Sequence, residues 1–167
     1  ESVNEGAGYL LMLERRYEES LAHYLALVEM MPHFYRVFTA TGRVLSLLGR
    51  YDEAIGFLER GRAMAGDIPS ILGAMGQTYG WAGRKEEACG ILEKLESMAA
   101  RQFVPSNVFA VVHSGLGETE KAIAWLEHGL DRREAQLASL NTHPVYDQLR
   151  GHTGFQRLLA RMNFISQ

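Results

Sequence analysis

Few side chains in this sequence stand where they could do chemistry, and the clearest candidates are two arginines. Arg36 and Arg43 lie seven residues apart with Thr39 between them. On a helix that spacing is two turns of one face, and a guanidinium presents forked donors that match a carboxylate. The chemistry this suggests is recognition of an acidic group. Six histidines form a second set: His23, His33, His113, His128, His143 and His152. None makes an i, i+4 pair suited to zinc, and only His143 and His152 are placed to meet. Paired carboxylates such as Glu18-Glu19 and Glu86-Glu87 are a third set. General acid–base work needs a cleft and a tuned pKa, whereas first-turn acids serve the helix dipole. Cys89 is the only cysteine, so no intrachain disulfide and no cysteine zinc cluster can form. There is no HExxH, no Gly-Lys-Ser/Thr phosphate loop and no GxSxG. Gly73, Gly76, Gly80 and Gly83 are not a nucleotide loop, because no strand precedes them and their spacing is helical. The expectation is a chain with no catalytic residue, no metal and no cofactor, hence not an enzyme.

The elements that must position these residues repeat. Gly49, Gly83 and Gly117 lie 34 residues apart, and so do Ala54, Ala88 and Ala122. Gly8, Gly42 and Gly76 form a second glycine series, continued by Ala110. Tyr24, Leu58, Leu92 and Leu126 form a third. Each unit reads as two amphipathic helices. In the second unit, Val37, Ala40, Thr41, Val44, Leu45 and Leu48 recur at three- and four-residue spacing. Gly49 then stops that helix, and Tyr51-Asp52-Glu53 opens the next. The 17 glycines, roughly 10% of 167 residues against an average near 7%, are thereby explained. Some terminate helices, and Gly8, Gly42 and Gly76 sit where a partner helix comes close.

This pattern resembles the tetratricopeptide repeat, a 34-residue helix–turn–helix unit. The family's small residue at repeat position 8 falls on Gly8, Gly42 and Gly76, and its turn glycine on Gly49, Gly83 and Gly117. Its aromatic at position 17 falls on Tyr17 and Tyr51, and its alanine at position 20 on Ala54, Ala88 and Ala122. Its helix-ending proline is matched by Pro32, and the fourth unit carries His113 where tyrosine is usual. The resemblance implies an all-α fold, a right-handed superhelical α-solenoid of four repeats (1–34, 35–68, 69–102 and 103–136) closed by C-terminal capping helices in 137–167. It also implies a concave groove lined by the first helix of each repeat. On this sequence the groove residues include Tyr9, Arg36, Thr39, Arg43, Gln77, Trp81 and Asn107. Trp81 either faces the groove or packs under the turn before Gly83. The arginines either meet a ligand's acid or pair with groove acids such as Glu5. Members that capture chaperone tails use a clamp of Lys and Asn; Glu5, Tyr9, Ala40, Ser70 and Ala74 replace it here, so that function is not expected.

The tail is not a fifth repeat, because Asn141-Thr142-His143-Pro144 breaks the helical pattern. Val145, Tyr146 and Leu149 suggest a short helix, and Phe155, Leu158, Leu159 and Met162 share one face of a final one. Pro144-Val145-Tyr146-Asp147-Gln148-Leu149-Arg150 with Gly154-Phe155-Gln156-Arg157-Leu158-Leu159 is similar to the closing segment of tetratricopeptide regions in bacterial multidomain signalling proteins. The expected setting is therefore a larger bacterial regulatory protein, of which this chain is an excerpt, located in the cytoplasm. The expected role is a non-catalytic protein–protein interaction module binding a protein or peptide in the groove. The alternative is a self-association scaffold, a homo-oligomer stacked through terminal repeats. A net charge of −3 argues against nucleic acid as partner. The longest purely apolar stretch, residues 108–112, is far short of a membrane span.

Overall fold

The computed structural model describes residues 5–162. Among these residues the chain is all-helical, with nine α-helices, two 3-10 helices and no strand. Four helix pairs come first: α1 (Glu5–Leu13) with α2 (Tyr17–Met30), α3 (Tyr35–Leu47) with α4 (Tyr51–Ala65), α5 (Pro69–Trp81) with α6 (Lys85–Ala99), and α7 (Ser106–Gly115) with α8 (Thr119–Asp131). Two 3-10 helices follow, Ala135–Ser139 and Pro144–Leu149, and then α9 (Thr153–Arg161). Each helix packs on its neighbour in sequence, and α3, α5 and α7 also pack on one another in that order.

The turn within each pair is one backbone design used four times. The amides of Arg16, Arg50, Arg84 and Glu118 donate to the carbonyls of Leu11, Leu45, Tyr79 and His113 at 2.8–2.9 Å. This bond satisfies a carbonyl orphaned at the helix end. It requires positive φ in the preceding residue, and φ is 76° at Gly49, Gly83 and Gly117. In the first pair the same slot holds Arg15 at φ 60°. A Cβ there costs about 1 kcal/mol or more. The following residue is the N-cap of the second helix and pairs with a charge three positions on. Arg16–Glu19, Arg50–Glu53 and Arg84–Glu87 close at 2.6, 2.7 and 2.8 Å, and the fourth pair is reversed as Glu118–Lys121 at 2.9 Å.

Glycine permits the close helix contacts that the spacing predicts. A Cβ at Gly42 would lie 2.6 Å from Leu58 Cγ, one at Gly8 2.8 Å from the Tyr24 ring, and one at Gly76 2.7 Å from Val112. Gly80 lies against the backbone of Gly115 where α5 crosses α7. The glycine run of α5 is thus a packing stripe that ends in the turn at Gly83. Ala54, Ala88 and Ala122 are fully buried, and Ser20 in the same slot is buried too, donating to the Gly8 carbonyl at 2.7 Å. Every residue of 71–79 is buried, so α5 is the central helix, covered on all sides.

The C-terminal segment does more than cap the array. Leu137, Leu140, Phe155 and Leu158 close over Ala122, Ile123 and Leu126. The 3-10 helix Ala135–Ser139 follows α8 after a short turn. Glu134, just before it, accepts from both the amide and the hydroxyl of Ser106 at 2.8 Å and thereby caps α7. The Pro144–Leu149 helix then leaves the end of the array and lies on α7. It reaches α5 through a bond from Gln77 to the Val145 carbonyl, and the first turn through Arg15. Contacts run mainly between neighbouring helices, and this tie is added to them: residues 132 apart in sequence meet here. Among the described residues no helix is long and apolar enough to cross a membrane.

Candidate functional site

The residues singled out on the first helix of each pair fall into three spaces, separated by the tail. The largest is a cavity of about 550 Å³ between α1 and α3. Its walls carry Glu5, Tyr9 and Met12 from α1, Arg36, Thr39 and Arg43 from α3, Ser70 from the start of α5, and His143 from the tail. Tyr9, Arg36, Thr39 and Arg43 are thus brought together. The seven-residue spacing of the arginines puts both on the cavity side of α3, as one face of a helix requires.

Their electrostatic situations differ. Arg36 is 62% exposed at the side chain, and its Nε lies 3.5 Å from Glu5 Oε2. A pair that exposed is weak and exchangeable. Arg43 donates from Nη2 to the Ser70 carbonyl at 2.9 Å. Among the described residues no carboxylate stands within ion-pair distance of it. Burial pulls its proton affinity below the ordinary arginine value, yet a guanidinium stays charged in proteins. The hydroxyls of Tyr9, Tyr24 and Tyr146 act on it electrostatically in the opposite sense to burial. Burial also raises the Tyr24 hydroxyl to about 12, with Glu5 adding to the shift, so that ring is neutral. Thr39 is buried, and its hydroxyl is bonded to the Tyr35 carbonyl at 3.0 Å. It shapes the wall.

Gln77 and Asn107 lie beyond His143, in a second cavity of about 360 Å³ between α5, α7 and the tail. Gln77 is buried, and its Nε2 bonds the Val145 carbonyl at 3.0 Å. Asn107 bonds the Tyr146 hydroxyl, which burial pushes up to about 12. The Asn107 Oδ1 is itself buried without a partner. Both residues therefore hold the chain's own tail. Trp81 is in neither cavity. It borders a small space of about 210 Å³ with Tyr17, Tyr51, Pro144 and Asp147, and its Nε1 is buried without a partner.

His143 completes the large cavity in a way the repeat pattern does not foreshadow. Its Nδ1 accepts from the Val145 amide at 3.3 Å, which leaves the ring proton on Nε2. Its ring packs near Tyr9 and Tyr146, at centroid separations of 5.9 and 6.2 Å. Burial, with Arg43 nearby, drives its pKa down to about 3, so the ring is neutral. His152, the other tail histidine, instead caps α9 and meets Glu120 at 2.9 Å. Among the described residues no group of three or more His, Cys, Asp or Glu side chains could hold a metal ion.

Sequence reasoning missed Arg15, His143, Val145, Tyr146 and Asp147 as parts of this face. Two signals pointed to them. Arg15 stands where the other units carry glycine, and the apolar Val145 and Tyr146 had no place in a repeat. The cavity is therefore a mostly apolar recess lined by Tyr9, Tyr24 and Tyr35, with one exchangeable arginine and one arginine lacking a counter-ion among the described residues. Set against known proteins, the chain matches no family model and no curated protein.

Proposed function

We propose that this chain is a non-catalytic protein-interaction module of the tetratricopeptide type, a right-handed superhelical solenoid of four repeats, cytoplasmic and part of a larger bacterial regulatory protein. Its ligand is a protein segment that places an acidic side chain in the cavity between α1 and α3. Support for the repeat reading comes from the fourfold turn bond and from the glycines at 8, 42 and 76 in close helix contact. The observation that carries the ligand reading is Arg43. Arg43 is half-buried and has no carboxylate partner among the described residues, and a partly desolvated charge gains more from a counter-ion than a fully solvated one. An incoming carboxylate supplies the missing partner, and Arg36 adds a second contact once released from Glu5.

Paired peptides that differ by one Glu against Gln, with binding followed by fluorescence anisotropy, test this. Wild type should favour the Glu member. The double variant Arg36→Glu/Arg43→Glu should lose about tenfold or more in affinity for it, with helical circular dichroism retained. Equal binding of both peptides, or unchanged affinity in a folded double variant, overturns the acidic-ligand reading.

A further inference from the structure

The position of α1 is set by less packing than that of any later first helix. α1 has few contacts to α3, whereas α5 and α7 are closely apposed. The α1–α2 pair forms the N-terminal wall of the large cavity, so whatever holds that pair sets the cavity's width. α2 packs on α3 and anchors the far side of the pair, and two contacts from the tail hold the α1 side. His143 packs by Tyr9. Arg15 donates from Nη2 to Asp147 Oδ1 at 2.8 Å and from Nη1 to the Thr142 carbonyl at 3.2 Å. Arg150 also donates to Asp147 Oδ1, at 2.6 Å, which fixes the carboxylate in place.

Arg15 is also the residue that occupies the left-handed turn slot where the three counterpart turns have glycine. A side chain is therefore kept at a strained position, and it is the one that reaches the tail. We propose that residues 142–147 form a strap across the mouth of the array, tied to the first turn by Arg15, which holds the α1–α2 pair and so sets the width of the cavity between α1 and α3. The Arg15–Asp147 pair is partly exposed, at 41% and 39% for the two side chains. Such pairs are weak, so the strap is an openable tie, unlike the buried core beneath it. A ligand that fits the cavity better at another width shifts the strap's equilibrium, and release of the strap alters ligand affinity by the same factor.

Hydrogen exchange on the whole chain tests the strap without any ligand, so its outcome is separate from that of the groove reading. Arg15→Gly removes the tie while giving the turn the residue its φ favours. The strap predicts that amides of residues 9–13 and 142–149 exchange about fivefold faster in this variant, with α5 and α6 unchanged. Asp147→Asn keeps the turn intact and should reproduce the acceleration in α1, although residue 147 is remote in sequence. If Arg15 acts only as a turn residue, Arg15→Gly slows exchange in α1 and α2. That result, or unchanged α1 exchange in both variants, overturns the proposal.

Discussion

A single imidazole shows how far burial outweighs residue type. His143 is charged or neutral near neutral pH in most settings, but here desolvation and the neighbouring Arg43 lower its pKa to about 3. In the unfolded chain it returns to about 6.5. Between these values the unfolded state binds a proton that the native state refuses. Its contribution to stability is therefore complete above pH 6.5 and is lost as pH falls toward 3. The slope approaches about 1.4 kcal/mol per pH unit. Urea midpoints at pH 7 and pH 5 should differ in wild type, and that difference should shrink in His143→Gln. The interval lies above ordinary carboxylate titration, so the carboxylates lowered by ion pairs, such as Asp67 beside Arg62 and Lys94, contribute little to it. Equal wild-type midpoints would refute the assignment.

At the scale of the helix, two glycines that both lie inside a helix have opposite roles. Gly42 on α3 faces Leu58 and the Ala54 carbonyl, whereas Gly56 on α4 has nothing within 4 Å of where a Cβ would stand. Alanine gains about 1 kcal/mol over glycine in a helix interior. At Gly42 that gain is overtaken by overpacking of about 1–3 kcal/mol, because Leu58 is fully buried and the carbonyl is backbone. Gly42→Ala should lower the denaturation midpoint and Gly56→Ala should raise it. Identical shifts would mean that helix propensity alone governs both sites. The 34-residue spacing made Gly42 legible as a contact, since Gly8 and Gly76 share its phase. Nothing in that spacing revealed the Ser46–Thr78 hydroxyl pair at 2.7 Å, which ties α3 to α5. Those two positions are not repeat equivalents, so the pair arises from how the helix pairs are offset.

For the molecule as a whole, the tail changes a row of hairpins into a bounded structure. Val145, Tyr146, Leu149, Phe155 and Leu158 are buried, as are Leu137 and Leu140. Each large apolar side chain contributes about 1.5–3 kcal/mol on burial, against a typical domain stability of 5–15 kcal/mol. Removing residues 137–167 would bare Ala110, Ala122, Ile123 and Leu126. The shortened chain should bind a hydrophobic dye and lose protection in α7 and α8 while α3–α6 stay protected, since repeat arrays are stabilised locally. A truncated chain with the wild-type midpoint and no dye binding would show that the tail is dispensable.

Much of the fold was decided locally and could be read from the sequence. The turns at 49, 83 and 117 follow from glycine's access to positive φ, and the helix pairs follow from apolar spacing. The face carrying Arg36, Thr39 and Arg43 follows from 3.6-residue periodicity, which needs no knowledge of neighbours. What lies opposite that face does not follow from periodicity. Only tertiary structure decided that Gln77 and Asn107 hold the tail, that Trp81 borders a separate recess, and that His143 closes the remaining cavity. A repeat pattern reports contacts between neighbouring units, because these recur. A strap from residue 147 to residue 15 occurs once, and its energy depends on surfaces that exist only after the helices have packed.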